Sequence, residues 1–173
     1  KVGCKFGNTV ASDHFGRFVP DHFDVSVTQA CTTGAFSYSG QPFSVSIVAR
    51  SAAGGATQNY DKTGTAVFAK ANTLAALDSA GSVANPGPGA FVAGSNAVAA
   101  SAFTAGVATT NLPAYTFSAP STVPTVVRVR SSDSDGVSSL RTAPAVTTEG
   151  TTTVRSGRLL LNNAYGSELL PLA

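Results

Sequence analysis

The amino-acid sequence predicts an all-β, immunoglobulin-like antiparallel sandwich. Apolar side chains recur at every second position in short runs, and turn signals separate those runs. Ser, Thr and Val are abundant while charged residues supply only 12% of the chain, the usage of strands that expose hydroxyls rather than charges. At 173 residues the chain can bury a core without a dense framework of disulfides or metals, and a single domain is the default.

In order along the chain, the alternating runs are Phe23, Val25, Val27; Phe43, Val45, Ile47, Ala49; Val67, Ala69; Tyr115, Phe117; Val127, Val129; and Leu159, Leu161. Between them lie Ser39-Gly40-Gln41-Pro42, Ala53-Gly54-Gly55, Lys62-Thr63-Gly64, Asn85-Pro86-Gly87-Pro88-Gly89 and Ser134-Asp135-Gly136, each rich in residues that turn the chain. Arg128 and Arg130 alternate with Val127 and Val129, which predicts a strand with one apolar and one charged face, as in a sheet packed on one side. Only residues 66–80, with Leu74 and Leu77 among alanines, suggest a short surface helix. The small residues of 76–106 predict a long connection or a small insertion.

Composition also narrows function. A net charge of +2, with 11 Lys plus Arg scattered singly or in pairs, leaves no footprint for phosphate backbones, so nucleic acid is not an expected partner. The most apolar stretch, 89–110, is mainly Ala, Gly and Ser, which predicts no membrane insertion. The absence of Met, even at position 1, suggests a segment cut from a longer precursor.

Cys4 and Cys31 stand in no metal-binding or redox spacing, and a disulfide between them is the simplest reading; two unrelated buried thiols are the alternative. That bridge would close a loop adding roughly 3 to 4 kcal/mol. It divides the chain into an N-terminal segment, 1–22, tied by the disulfide, and a sandwich over 23–173.

Few residues hint at chemistry. Asp13-His14 and Asp21-His22 carry the only histidines; a metal site or general base is conceivable from imidazole beside carboxylate, but backbone support at the entry of a sheet is the commoner role. Ser132-Asp133-Ser134-Asp135-Gly136 is oxygen-rich, yet Thr142 stands where an EF-hand needs its closing glutamate. A looser calcium site on Asp133 and Asp135 is therefore the one cofactor candidate, against the simpler reading of an Asp-Gly turn. No nucleophile motif or phosphate loop is evident, and although the sequence leaves open a carboxylate pair such as Asp24 with Asp61, the balance predicts a protein that is not an enzyme. The aromatic residues Phe36, Tyr38, Tyr60, Tyr115 and Tyr165 suit either stacking on sugars or the edge of the core, with Tyr60 and Tyr115 the candidate ligand-binding positions.

The run Gly16-Arg17-Phe18-Val19-Pro20-Asp21-His22-Phe23, followed by Ser39-Gly40-Gln41-Pro42-Phe43 and by 49–60 with its Gly54-Gly55 and Asn59-Tyr60, resembles MshQ-type proteins of the mannose-sensitive haemagglutinin pilus system. Asp133-Ser134-Asp135-Gly136-Val137 and the stretch from Gly157 to Leu172 resemble later motifs of the same family, so the likeness spans nearly the whole chain. The resemblance implies a large exported bacterial protein tied to type IV pilus biogenesis, with lectin-like sandwiches elsewhere and no catalytic residues to carry over. The expected role is a non-enzymatic structural or interaction module, extracytoplasmic, whose partners are other domains of the same protein or pilus components. The alternative is a carbohydrate-binding adhesin domain with glycans as ligands.

Overall fold

The computed structural model describes residues 19–62, 68–141 and 148–157. Ten strands are ordered along the chain: β1 (His22–Thr28), β2 (Ser37–Tyr38), β3 (Ser44–Arg50), β4 (Asn72–Leu77), β5 (Gly89–Phe91), β6 (Ala97–Val98), β7 (Val107–Thr110), β8 (Tyr115–Phe117), β9 (Thr125–Asp133) and β10 (Thr151–Arg155). Among the described residues the one helical piece is a single 3-10 turn, Ala100–Ala102.

These strands form the expected all-β sandwich. One sheet has the order β1-β3-β7, the other β2-β10-β9-β4-β6, and β5 pairs with β8 as a small ribbon at one end. All pairings are antiparallel except the short parallel contact of β2 with β10. Alternation decides which side chains face inward. Phe23 and Val25 of β1 lie opposite Ala49 and Ile47 of β3, and all four are buried. Ile47 in turn faces Ala108 of β7. From the other sheet come Leu74 and Ala76 of β4, Val127 and Val129 of β9, and Val154 of β10. Interdigitated apolar faces of this kind supply most of a sandwich's stability.

The described part of 66–80, read from the sequence as at most a short surface helix, holds the strand β4 instead. Asn72, Leu74 and Ala76 are buried while Thr73 and Ala75 are exposed, a period of two. Six registered pairs with β9 outweigh a local preference for helix that rests on alanine. The Val67 of the neighbouring expected run, and Leu159 and Leu161, lie outside the described residues, as does most of the Lys62-Thr63-Gly64 turn.

Arg128 and Arg130 also depart from expectation, because they do not face open solvent. They converge on Glu149, whose side chain has no exposure: Arg130 Nε lies 2.5 Å from Oε1 and Arg128 Nη1 3.9 Å from Oε2. Arg130 Nη2 adds a second bond to Oε2 at 3.2 Å, making the contact bidentate, and the Ser139 hydroxyl donates to Oε1 at 3.2 Å. The turn over 78–83 folds across the same face: Asp78 Oδ1 accepts the Ser82 and Val83 N–H groups, while Arg128 bonds to the Ser79 carbonyl and Arg130 to that of Gly81.

The two sheets are joined along the outer edge of β1. Val25 N–H donates to the Thr148 carbonyl (2.7 Å) and Phe23 N–H to that of Ser138 (3.2 Å), so β1 has partners on both sides. Gly150 passes so close that a Cβ there would stand 2.8 Å from Val27 N and 3.0 Å from Val25 O; only glycine admits that approach. Its carbonyl meanwhile accepts the Val129 N–H of β9. Residues 148–150 are thus shared between the sheets. Edges left open invite pairing with other chains, and this one is closed.

Candidate ligand-binding site

Tyr60 and Tyr115, candidates for stacking on a sugar against the favoured reading of core packing, are core residues with 2% and 0% exposure. A sugar needs an open ring face, and neither ring has one. Tyr60 packs edge-on against Phe23 (5.6 Å) and Phe103 (5.0 Å), and its hydroxyl donates to Asp133 Oδ2 at 2.9 Å while accepting the Lys70 N–H. Tyr115 packs edge-on between Phe91 and Phe117, and its hydroxyl donates to the Pro86 carbonyl at 2.6 Å.

Burial pushes the Tyr115 phenol up to about 12. Because the folded value lies above the ordinary 10, the stability this phenol contributes is complete below pH 10 and is lost as the pH rises through 12. Tyr115→Phe is expected to cost about 1 kcal/mol at pH 7, for the lost hydrogen bond, and to flatten the fall in melting temperature between pH 10 and 12. Thermal melts across that range check this; an equally steep fall in the variant would place the alkaline sensitivity elsewhere.

Asp133 ends β9 and Asp135 lies in the turn that follows, but the Asp133 carboxylate is already engaged. Its Oδ1 accepts the Asp135 and Val137 N–H groups at 2.9 and 3.0 Å, and Oδ2 accepts the Tyr60 hydroxyl. With Gly136 at φ 82°, the stretch is a tight Asx-type turn that returns the chain beside β9, where Ser139 N–H donates to the Ser131 carbonyl. Among the described residues no three His, Cys, Asp or Glu side chains are grouped to hold a metal ion.

His22 opens β1 with 4% exposure, its Nδ1 2.8 Å from Asp21 Oδ2 and its Nε2 3.4 Å from Asp24 Oδ1. An arginine holds each carboxylate: Arg141 Nε is 2.9 Å from Asp21, and Arg50 Nε 2.5 Å from Asp24. The hydrogen bond from His22, with Arg141 beside it, keeps the Asp21 carboxyl below its usual 3.8 against the opposing effect of desolvation. That contribution to stability is present above pH 3.8 and is lost as the pH falls through the depressed value. Cys31 is half-buried in a small loop, its backbone bridged to Phe36. Cys4, Asp13, His14 and Tyr165 lie outside the described residues.

An open aromatic surface does exist, at the end of the sandwich where β2, β8 and β10 meet. Tyr38 is 45% exposed. Its N–H donates to Gln41 Oε1 (3.1 Å), its carbonyl accepts the Gln41 N–H (2.9 Å), and its ring stands edge-on to Phe36 at 5.0 Å. The Arg155 guanidinium lies over the Phe36 ring at 4.8 Å, a cation–π contact that fixes the support. A cleft of about 230 Å³ is lined by Ser39, Phe117, Ser118, Ala119, Pro120, Ser156 and Gly157; the Tyr38 ring flanks it from outside that lining, packed against Gly157. Ser39 Oγ accepts the Phe117 N–H at 2.9 Å, and Ser156 Oγ accepts the Ser121 N–H at 2.8 Å.

Sequence reasoning placed Tyr38 only among several aromatics and read Ser39-Gly40-Gln41-Pro42 as a turn. The available signal was local: Phe36 and Tyr38 share one face two residues apart, and a Gly-Pro turn follows at once, which sets an aromatic ring at a strand end. The serines of the cleft come from three distant segments and carry no local signal.

Among the described residues, no helix is long and apolar enough to cross a membrane. The family model described as DUF6701, third domain, matches residues 7–156. No curated protein and no solved structure matches the chain.

Proposed function

We propose that this chain, which belongs to the DUF6701 family as its third domain, serves as a non-enzymatic structural and interaction module of an exported bacterial surface protein. The observation that carries the reading is the contrast between the two kinds of polar group. His22, Asp133 and Glu149 are each spent on holding strands and loops together, whereas Tyr38 and its cleft face outward on a braced platform. A rigid scaffold with one presented aromatic end suits contact with a partner. The likeness of its motifs to MshQ-type proteins supports other domains of the parent protein, or components of a type IV pilus, as those partners.

The test is a photoreactive phenylalanine analogue at position 38, carried in the full parent protein of the native bacterium. Illumination is expected to join the chain to another domain or to a pilus component in the extracytoplasmic fraction, with no adduct from the analogue at the exposed Val83 on the turn after β4. Equal labelling at both positions, or a protein confined to the cytoplasm, would overturn the proposal.

A further inference from the structure

We infer that the cleft beside Tyr38 binds a neutral carbohydrate, with the Tyr38 ring as stacking platform and the hydroxyls of Ser39, Ser118 and Ser156 as its polar contacts. The inference rests on the interaction-module reading and gives that surface a ligand class.

Sugars present two chemistries at once, an apolar C–H face and a rim of hydroxyls. The cleft offers both. Phe117 and Pro120 supply apolar wall, three serines supply hydroxyls, and no charged side chain lines it, so nothing there favours a phosphate, sulfate or carboxylate over a neutral group. Ser156 Oγ accepts the Ser121 N–H, which fixes the oxygen and leaves its proton to donate; Ser118 is anchored by its bond to the Pro88 carbonyl at 2.9 Å. Hydroxyls held in this way discriminate by geometry.

The platform is also ordered before any ligand arrives. Tyr38 is tied through both backbone groups to Gln41 and braced by Phe36 under Arg155. Gly157 packs directly on its ring, where a Cβ would come within 3.0 Å of Tyr38 Cδ1. A ring already packed against its neighbours loses less freedom on binding than a free side chain, which favours a ligand of few contacts. At about 230 Å³ the cleft is smaller than the roughly 300–1,000 Å³ of enclosed small-molecule pockets, and it suits a terminal sugar or one edge of a glycan.

The experiment is a glycan array probed with the purified, multimerised chain, carrying neutral, sialylated and sulfated oligosaccharides together, followed by calorimetric titration of the strongest neutral hit. Binding to neutral glycans is expected, weakened at least about tenfold by Tyr38→Ala and several-fold by Ser156→Ala, with Tyr38→Phe close to wild type because stacking is kept. Each variant is first shown to melt like wild type, so a loss of binding is not a loss of fold. A blank array, binding confined to charged glycans, or neutral binding that survives Tyr38→Ala overturns the inference. If position 38 still crosslinks to protein when the array is blank, the ligand class falls and the interaction role stands; if both are blank, both fall.

Discussion

Glu149→Ala is expected to destabilise the fold by about 3 to 5 kcal/mol, the range seen when one partner is removed from a buried ion pair. The Glu149 side chain is wholly buried, while those of Arg128 and Arg130 keep only 20% and 22% exposure. Deleting the carboxylate leaves the Arg130 guanidinium without its bidentate acceptor and the Ser139 hydroxyl without an acceptor for its proton, although its oxygen still receives the Ser131 N–H. Both effects add to the desolvation already suffered by the arginines. Urea unfolding checks this as a fall in midpoint at unchanged slope. Glu149→Gln, which keeps shape and acceptor oxygen but not charge, is expected to fall between alanine and wild type. A loss below about 1 kcal/mol for the alanine variant would mean that the arginines swing into solvent and the pair is not structural.

Phe103→Ala is the second large effect, again about 3 to 5 kcal/mol. Phe103 has no exposure and closes one end of the core, 6.4 Å from Phe23 and 5.0 Å from Tyr60 between ring centres. Truncation opens a void beneath two aromatic rings that cannot both collapse into it, since Tyr60 is pinned through its hydroxyl to Asp133. The same substitution at Leu112, 65% exposed, should stay within about 0.5 kcal/mol and serves as the control. Parallel thermal or urea melts decide it; equal losses at both positions would deny Phe103 its place in the core.

The strands that could be read from the sequence are those whose inward residues are large. Phe23 and Val25, Val45 and Ile47, Tyr115 and Phe117, and Val127 and Val129 announce a period of two. In β4 the inward residues include Ala76, and Leu77 follows Leu74 at helical spacing, so only pairing with β9 reveals the strand. In β10 the inward pair is Thr152 and Val154 within a run of threonines, and no alternation of polarity marks it. Sites were harder for the same reason. For Tyr60 and Tyr115 the sequence favours the core without excluding an exposed ring, because burial is decided by segments far away in the chain. Glu149 lies in a polar stretch, and nothing near it in the chain says that two arginines of β9 await it.

The seam at β1 also determines how the domain meets tension. Val25 takes the Thr148 carbonyl and Val27 lies against Gly150, so the chain leading into β10 runs alongside β1 in the same direction. With force applied at His22 and Arg155, β1 and residues 148–155 are pulled in opposite directions along their length. Two strands side by side in one direction are then dragged past each other, and their hydrogen bonds share the load rather than opening one after another. Rupture under those conditions is governed by the rate of crossing a barrier rather than by equilibrium stability. The same few residues that shut the sheet edge would therefore act as a mechanical clasp.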